Sequence, residues 1–226
     1  MKKTIASMLM FLCVGAAQAQ LTGNVSVVTD YRFRGVSQTQ KSLALQGGID
    51  YTDKSGFYIG NWNSNVSSKI YTDSIGLEND VYAGFKKEVI KDVVVDVGVY
   101  SYFFSQADKK FSSSSNTQEG YVGVTTGPVT LKYSRSLSDY FGAINSSGSK
   151  YLQADFAYPV VKNLKVDAHY GRTLVNNHPN SRYDDFKVGV SYLLSGFNVG
   201  AHYYNNFHAP LLANTNTVVF SVGKSF

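Results

Sequence analysis

Apolar and polar side chains alternate with a period of two along most of the chain. Because successive side chains of a β-strand point to opposite faces, this pattern predicts strands with one apolar and one polar face. About twelve segments carry it, each near ten residues long or shorter, a length that suits a tilted strand crossing a bilayer. We place these strands at 24–34, 43–51, 57–66, 80–85, 93–104, 118–126, 129–135, 150–158, 164–172, 183–192, 197–204 and 217–226.

The connections between these segments alternate between short and long. The short ones are 52–56, 86–92, 127–128, 159–163 and 193–196, and the intervening ones are mostly longer, polar and rich in Ser and Asn. A soluble sandwich gives no reason for this alternation, whereas outer-membrane barrels have short periplasmic turns and longer extracellular loops. We therefore predict an all-β protein with a single transmembrane antiparallel up-and-down β-barrel of about twelve strands.

The apolar face of the predicted strands carries no charge until the last strand. Along that strand Val218, Phe220, Val222 and Phe226 form one stripe, which Lys224 interrupts near the end. On the first strand, the same parity places Tyr31 and Phe33 outward with the valines. This face predicts contact with outer-membrane lipid. The terminal Phe226 resembles the signature that the barrel-assembly machinery is understood to read, which makes that machinery an expected partner.

The N-terminus has the pattern of a secretory signal peptide. Lys2 and Lys3 precede an apolar run from Ile5 to Val14, and Ala17-Gln18-Ala19 provides a small-x-small cleavage site. We predict a signal peptide at 1–19 and one barrel domain at 20–226, exported to the bacterial outer membrane. Cys13 is the only cysteine, so cleavage leaves no disulfide and no thiolate metal site.

Charge and composition exclude nucleic acid as a predicted partner. The formal charge of +5 includes Lys2 and Lys3, and the remaining basic residues are scattered singly among acidic ones rather than gathered in a patch. The chain is rich in Tyr and Gly, with 17 and 20 of them, and has only 4 Pro, as strands with aromatic girdles require.

The opposite, polar face of the strands contains the candidate functional residues. Burying an unpaired charge costs several kcal/mol, so this interior must hold water or neutralise itself by ion pairs. We favour a narrow water-filled pore that passes small polar solutes through a lumen of mixed charge, with its constriction at Asp30, Arg32 and Arg34 on the first strand, facing Gln46 and Asp50. The predicted pore-lining residues are Asp30, Arg32, Arg34, Gln46, Asp50, Asn61, Asn63, Asp80, Asp96, Glu119, Lys132, Asp155, Lys165, Asp167, His169, Lys187 and His202.

Three other interpretations remain open at this point. The interior charges could form a static salt-bridge network that plugs the barrel. The barrel could be an enzyme acting on lipid, with His169 or His202 as base, although no catalytic, metal-binding or cofactor-binding motif is present. It could also be a receptor that acts through its loops. We expect no enzyme and no cofactor.

Part of the chain resembles a known family. The segments 30–39, 44–51, 56–60 and 64–66, together with Trp62, resemble the TorF porin family, and Glu78, Asp80, Tyr82 and Gly84 continue the resemblance. It implies an outer-membrane barrel of a Gram-negative bacterium that forms a pore, and it implies no particular substrate.

Overall fold

A computed structural model describes residues 20–70, 74–106, 114–207 and 216–226. The predicted signal peptide at 1–19 lies outside the described residues. The strands are β1 (Gln20–Val28), β2 (Arg32–Phe33), β3 (Val36–Ser37), β4 (Ala44–Thr52), β5 (Phe57–Asn65), β6 (Ser74–Ile90), β7 (Val93–Gln106), β8 (Thr117–Thr126), β9 (Val129–Ser136), β10 (Lys150–Val161), β11 (Leu164–Leu174), β12 (Tyr183–Leu194), β13 (Phe197–Phe207) and β14 (Thr217–Ser225). One 3₁₀ turn, Pro179–Ser181, precedes β12.

The described strands form a closed antiparallel barrel. Its order is β1-β4-β5-β6-β7-β8-β9-β10-β11-β12-β13-β14, twelve strands among the described residues, and β14 pairs back onto β1. That closing pair runs in register from Asn24 opposite Ser225 to Val28 opposite Ser221. The predicted fold class, with its strand number and the closing role of the last strand, is confirmed.

The two ends of the barrel differ in the length of their connections. At one end, which we call the short-turn end, β12 and β13 are joined by Ser195 and Gly196 alone. Both have positive φ, 50° and 85°, as a type I′ hairpin turn requires. At the opposite, long-loop end, the connections include 29–43 between β1 and β4 and 137–149 between β9 and β10.

The outer face of the barrel is apolar over most of its circumference. Val97 and Val99 on β7 and Val188 and Val190 on β12 are 41–51% exposed, although they lie mid-strand. The inner face contains instead the buried Asp80, Asp96 and Asp167. Because the faces alternate along each strand, the period-two pattern is the direct cause of this apolar exterior. Among the described residues no helix is long and apolar enough to span a membrane.

The first predicted strand is wrong at its C-terminal end. β1 stops at Val28, whereas the prediction ran to residue 34. The side chain of Asp30 accepts hydrogen bonds from the Ser37 and Thr39 hydroxyls and from the backbone N–H of Lys41, so local bonds replace the strand ladder. The chain turns into the barrel, and Tyr31, which the strand pattern placed on the outer face, is 8% exposed inside.

Candidate functional site: the barrel interior

A segment of the chain folds into the lumen at the long-loop end. We call residues 29–43 the infolded segment, and its centre is the two-stranded hairpin β2–β3. Arg34 and Gly35 form the tip of this hairpin, both with positive φ, 47° and 74°. Asp30 fixes the base, because Arg32 Nε donates a hydrogen bond of 2.6 Å to Asp30 Oδ2.

Arg34 carries the tip of the hairpin to the far side of the barrel. Its Nη1 and Nη2 donate hydrogen bonds of 2.9 and 2.6 Å to the two carboxylate oxygens of Glu119 on β8. The two side chains are 6% and 4% exposed, and the guanidinium also lies 4.1 Å from the ring centroid of Tyr151 on β10. Such a two-pronged pair fixes both distance and orientation. Since β8 lies five strands from β1 in the barrel order, the pair ties the infolded segment across the lumen.

The loop 137–149 reaches the same point from the other side of the same, long-loop rim. Arg34 Nη1 donates a hydrogen bond of 3.0 Å to the Tyr140 hydroxyl. Asp139 shapes this loop by accepting hydrogen bonds from the backbone N–H groups of Ser146 and Ser147 at 2.8 and 3.1 Å. Two connections that start far apart on the rim therefore meet at one guanidinium.

A cluster of rings fills the space beside the hairpin. Tyr31 packs edge-on against Trp62 at 5.3 Å between centroids, and Phe33 packs against Tyr102 and Phe141 at 5.4 Å each. We call this cluster the aromatic plug, and its members are Tyr31, Phe33, Trp62, Tyr100, Tyr102, Phe104 and Phe141. It is the largest patch of hydrophobic packing in the interior that the structure describes.

From the hairpin tip, where Asp185 lies beside Gly35, to the short-turn end, the interior is organised by charge more than by rings. Asp167 lies 3.0 Å from Lys187 Nζ and 3.0 Å from His202 Nε2. His169 lies between two carboxylates, with Nδ1 2.6 Å from Asp155 and Nε2 3.0 Å from Asp185. These side chains come from β10, β11, β12 and β13, so neighbouring strands neutralise one another around this part of the wall.

Three lysines in the same region have no such partner. Lys86, Lys132 and Lys165 form no ion pair within 4.0 Å with any residue in the described part of the chain. Lys132 Nζ instead lies 3.9 Å from the ring centroid of Tyr121. An ammonium group without a carboxylate needs water or a solute nearby, because its desolvation costs several kcal/mol.

Tyrosine hydroxyls contact several of the remaining interior carboxylates. Tyr58 donates a hydrogen bond of 2.7 Å to Asp96 and is also hydrogen-bonded to Tyr121. Tyr82 donates one of 2.5 Å to Asp50. The wall therefore mixes hydroxyls, carboxylates and ammonium groups, with no single sign of charge.

Most of the predicted pore-lining residues lie on the inner face, but not all in the predicted places. Asp30, Arg32 and Arg34 belong to the infolded segment rather than to a barrel strand. They do not face Gln46 and Asp50, since Gln46 contacts Ser64 and Asp50 contacts Tyr82. The inner-face residues on barrel strands are Gln46, Asp50, Asp80, Asp96, Glu119, Lys132, Asp155, Lys165, Asp167, His169, Lys187 and His202.

The inward placement of Asn61 and Asn63 is wrong. Paired residues on adjacent antiparallel strands share a face, and Asn61 pairs with Ile49 and Val81, which are 57% and 40% exposed on the outside. The residues of β5 that point inward are Tyr58, Gly60, Trp62 and Ser64, in keeping with the 1% exposure of Ser64. Polar character alone suggested an inner face here, and the parity set by Phe57 and Ile59 would have corrected it.

Several interior residues were missed. Asp185 lies two positions before Lys187, so the same parity could have found it. Lys86 lay just beyond the predicted end of its strand, which in the structure continues to Ile90. The burial of the aromatic plug had no local signal, because nothing in the sequence indicates that the chain turns inward after Val28.

The two histidines considered as bases, His169 and His202, are hydrogen-bonded to carboxylates and a tyrosine hydroxyl. The hydrogen-bond partners of His169 are Asp155, Asp185 and the Tyr151 hydroxyl, and that of His202 is Asp167. Within the described residues neither ring is hydrogen-bonded to a serine, and no group of three or more acidic, His or Cys side chains is arranged to hold a metal ion.

Solved structures with the same fold include two porins. The KdgM porin, solved in complex with a disordered oligogalacturonate, matches with a TM-score of 0.58 and 11% identity, over 91% of this chain and 97% of that one. The NanC porin matches with a TM-score of 0.56 and 9% identity, over 90% and 98%. The fold is thus that of porin barrels.

The family is defined by sequence. The model of the family described as "Bacterial protein of unknown function (Gcw_chp)" matches residues 14–226, so the chain belongs to the Gcw_chp family. The name TorF is not confirmed, whereas the porin-type barrel that the resemblance implied is present. A search of the curated proteins finds no match.

Proposed function

We propose that this protein is an outer-membrane channel that lets small polar solutes diffuse through a narrow lumen of mixed charge. The observation that carries the proposal is the set of interior lysines that form no ion pair with any residue the structure describes, Lys86, Lys132 and Lys165. A barrel plugged by a complete salt-bridge network would pair such groups, because an unpaired buried charge is costly. A lumen that contains water solvates them.

The rest of the interior supports a passive channel with weak selectivity. Paired groups of both signs, such as Asp167 with Lys187, face the lumen together with tyrosine hydroxyls. Rings of one sign give strong ion filters, and mixed signs create a transverse field with modest preference. The solute remains defined only by class, as small and polar.

The proposal includes the orientation and the assembly of the barrel. The apolar exterior fits outer-membrane lipid, and the short-turn end, which holds both described termini, is assigned to the periplasm as in other such barrels. The N-terminal 1–19 would act as the export signal. The closing strand with its terminal Phe226, which is 76% exposed, would be read by the assembly machinery.

Conductance measurement tests the channel. The protein, refolded in detergent and inserted in a planar bilayer, is expected to give discrete current steps in potassium chloride. A barrel of the same preparation that has been heat-denatured serves as the control. Folding is judged by the shift in electrophoretic mobility of the sample when it is not heated. If the folded protein inserts and gives no current steps, the channel proposal fails.

A second candidate is a closed barrel that acts through its long-loop end. The observation that favours it is the Arg34–Glu119 pair, which holds the infolded segment across the lumen. In that case the wild-type protein gives no current steps, while a variant lacking the infolded segment does. Conductance measured on the wild type and on the variant without the infolded segment therefore distinguishes the two candidates.

A further inference from the structure

Three asparagines form a polar patch on the outer face of the barrel. Asn61 and Asn63 lie on β5, and Asn79 lies on β6 directly opposite Asn63. Their outward direction follows from the pairing of Asn61 with Ile49, which is 57% exposed. We call these three side chains the amide patch.

On β6 the amide patch has apolar neighbours on both sides, and on β5 the outer face continues from Asn63 to Asn65, whose amide is hydrogen-bonded to the backbone of Leu43 and Leu45. Along β6, Asn79 lies between Leu77 and Val81, which are 39% and 40% exposed. Along β5, Asn61 follows Ile59, which is 45% exposed, on the side of the short-turn end. A polar surface in this position is out of keeping with contact to hydrocarbon alone.

The three amides satisfy each other only in part. Asn79 Nδ2 donates a hydrogen bond of 2.5 Å to Asn63 Oδ1, Asn63 Nδ2 donates one of 2.6 Å to Asn61 Oδ1, and Asn61 Nδ2 donates one of 2.9 Å to the Asp80 carbonyl. The chain of bonds leaves Asn79 Oδ1 without a donor among the described residues. Each amide nitrogen also keeps a second N–H, since an amide group has two donors.

A bilayer offers no water to these remaining groups. An unsatisfied polar group in hydrocarbon costs several kcal/mol, so it needs a partner that is itself in the membrane. The free groups are one acceptor and several donors, and this set is complementary to an inverted copy of itself, as in a twofold interface. Beside the patch lie two small residues, Gly47, which pairs with Asn63, and Ala83 on β6. Their small side chains permit close approach of a second barrel.

We propose that the amide patch is the centre of a self-association interface, at which two copies of this chain pack β5 and β6 against β5 and β6 inside the membrane. The amides of one copy then hydrogen-bond to those of the other across a twofold axis. This interface rests on the membrane placement proposed above, but not on the conduction of any solute.

Cysteine cross-linking tests the proposal directly. Residues 20–226 contain no cysteine, so single replacements are unambiguous. Asn63→Cys and Asn79→Cys, oxidised in lipid vesicles, are expected to give disulfide-linked dimers. Val188→Cys, on the outer face of β12 and 43% exposed, is the matched control and is expected to stay monomeric. Patch cysteines that cross-link no more than Val188→Cys overturn the proposal, as does cross-linking only to a different protein.

A second variant keeps the test independent of cysteine geometry. In Asn63→Leu/Asn79→Leu the amides are replaced by apolar side chains that suit lipid, so the barrel is expected to fold. Energy transfer between labelled copies in vesicles should show association weakened by about threefold or more for each lost hydrogen bond. Unchanged association in this variant contradicts the interface.

Failure of the membrane placement would look different. Val188→Cys in vesicles is expected to be protected from a water-soluble, impermeant maleimide. Rapid labelling at this position would contradict the membrane placement itself. Protection at Val188→Cys, combined with monomeric patch variants, would contradict the self-association alone.

Discussion

The two halves of the lumen are lined by different kinds of side chain. The half at the long-loop end is packed with the rings of the aromatic plug and tied by the nearly buried pair of Arg34 and Glu119. The half at the short-turn end has few ring contacts, and it holds lysines that form no ion pair within the described part of the chain. The difference shows that closure of the barrel does not by itself decide how open its interior is. An inserted segment fills part of one half, whereas charged side chains of both signs line the other.

Removal of the infolded segment is expected to have the largest effect. A variant in which a short Gly-Ser turn replaces residues 30–41 keeps β1 and β4 but loses the hairpin and two rings of the aromatic plug, Tyr31 and Phe33. Because the infolded segment fills part of this half, its removal should raise the single-channel conductance in planar bilayers severalfold. A conductance equal to that of the wild type would place the constriction elsewhere, in the short-turn half.

Loss of the Arg34 guanidinium should destabilise the packed half strongly. Arg34→Met leaves Glu119 buried without its partner, and breaking a buried pair in this way costs about 3–5 kcal/mol. Guanidinium-induced unfolding in lipid vesicles measures this change. Arg172→Met is the comparison, because Arg172 also pairs with a carboxylate but is itself 53% exposed, while its partner Asp184 is 2% exposed and also accepts a hydrogen bond from the Tyr170 hydroxyl.

For Arg172→Met we expect a smaller loss, because the half-exposed Arg172 is partly solvated already and Asp184 keeps the hydrogen bond from Tyr170. Similar losses in the two variants would mean that Glu119 finds water when Arg34 is absent. Water would then have access to Glu119 inside the long-loop half.

Charge reversal in the short-turn half should change selectivity more than stability. Lys132→Glu and Lys165→Glu place a negative charge where the lumen now has a cation without an ion-pair partner, so the reversal potential in a salt gradient should shift towards cations. Lys162→Glu, in the exposed turn between β10 and β11, is the control and should shift it less. Equal shifts in all three variants would indicate that the lysines act at the mouth and not inside the lumen.

The loss of one hydroxyl in the short-turn half is expected to have the smallest effect. Tyr58→Phe removes the 2.7 Å hydrogen bond to Asp96. Because water can take its place in this half, the free energy of unfolding should fall by only about 1 kcal/mol. Tyr192→Phe on the outer face, where the side chain is 44% exposed, should be close to neutral. A loss for Tyr58→Phe as large as that for Arg34→Met would show that the short-turn half is dry.

Much of the barrel could be predicted from the sequence, because the face on which a strand residue lies depends on its neighbours along the chain. Alternation along β7 and β12 follows directly from the opposite directions of neighbouring side chains, so lipid-facing valines and inward charges such as Asp96 and Lys187 were found by parity. The same rule failed at Asn61 and Asn63, where residue type was given more weight than parity. It failed again after Val28, where the strand ended earlier than the pattern.

By itself, the sequence determined the strand number, the antiparallel meander and the faces of most strands, since each depends on residues that are neighbours along the chain. Only the tertiary structure decided how the interior is filled. Arg34 meets Glu119 across 85 positions in the chain, and Tyr31 meets Trp62 only because the infolded segment turns inward. Such contacts depend on the closure of the barrel, which brings distant residues to one place. A local pattern of apolar and polar positions does not indicate which of these residues meet.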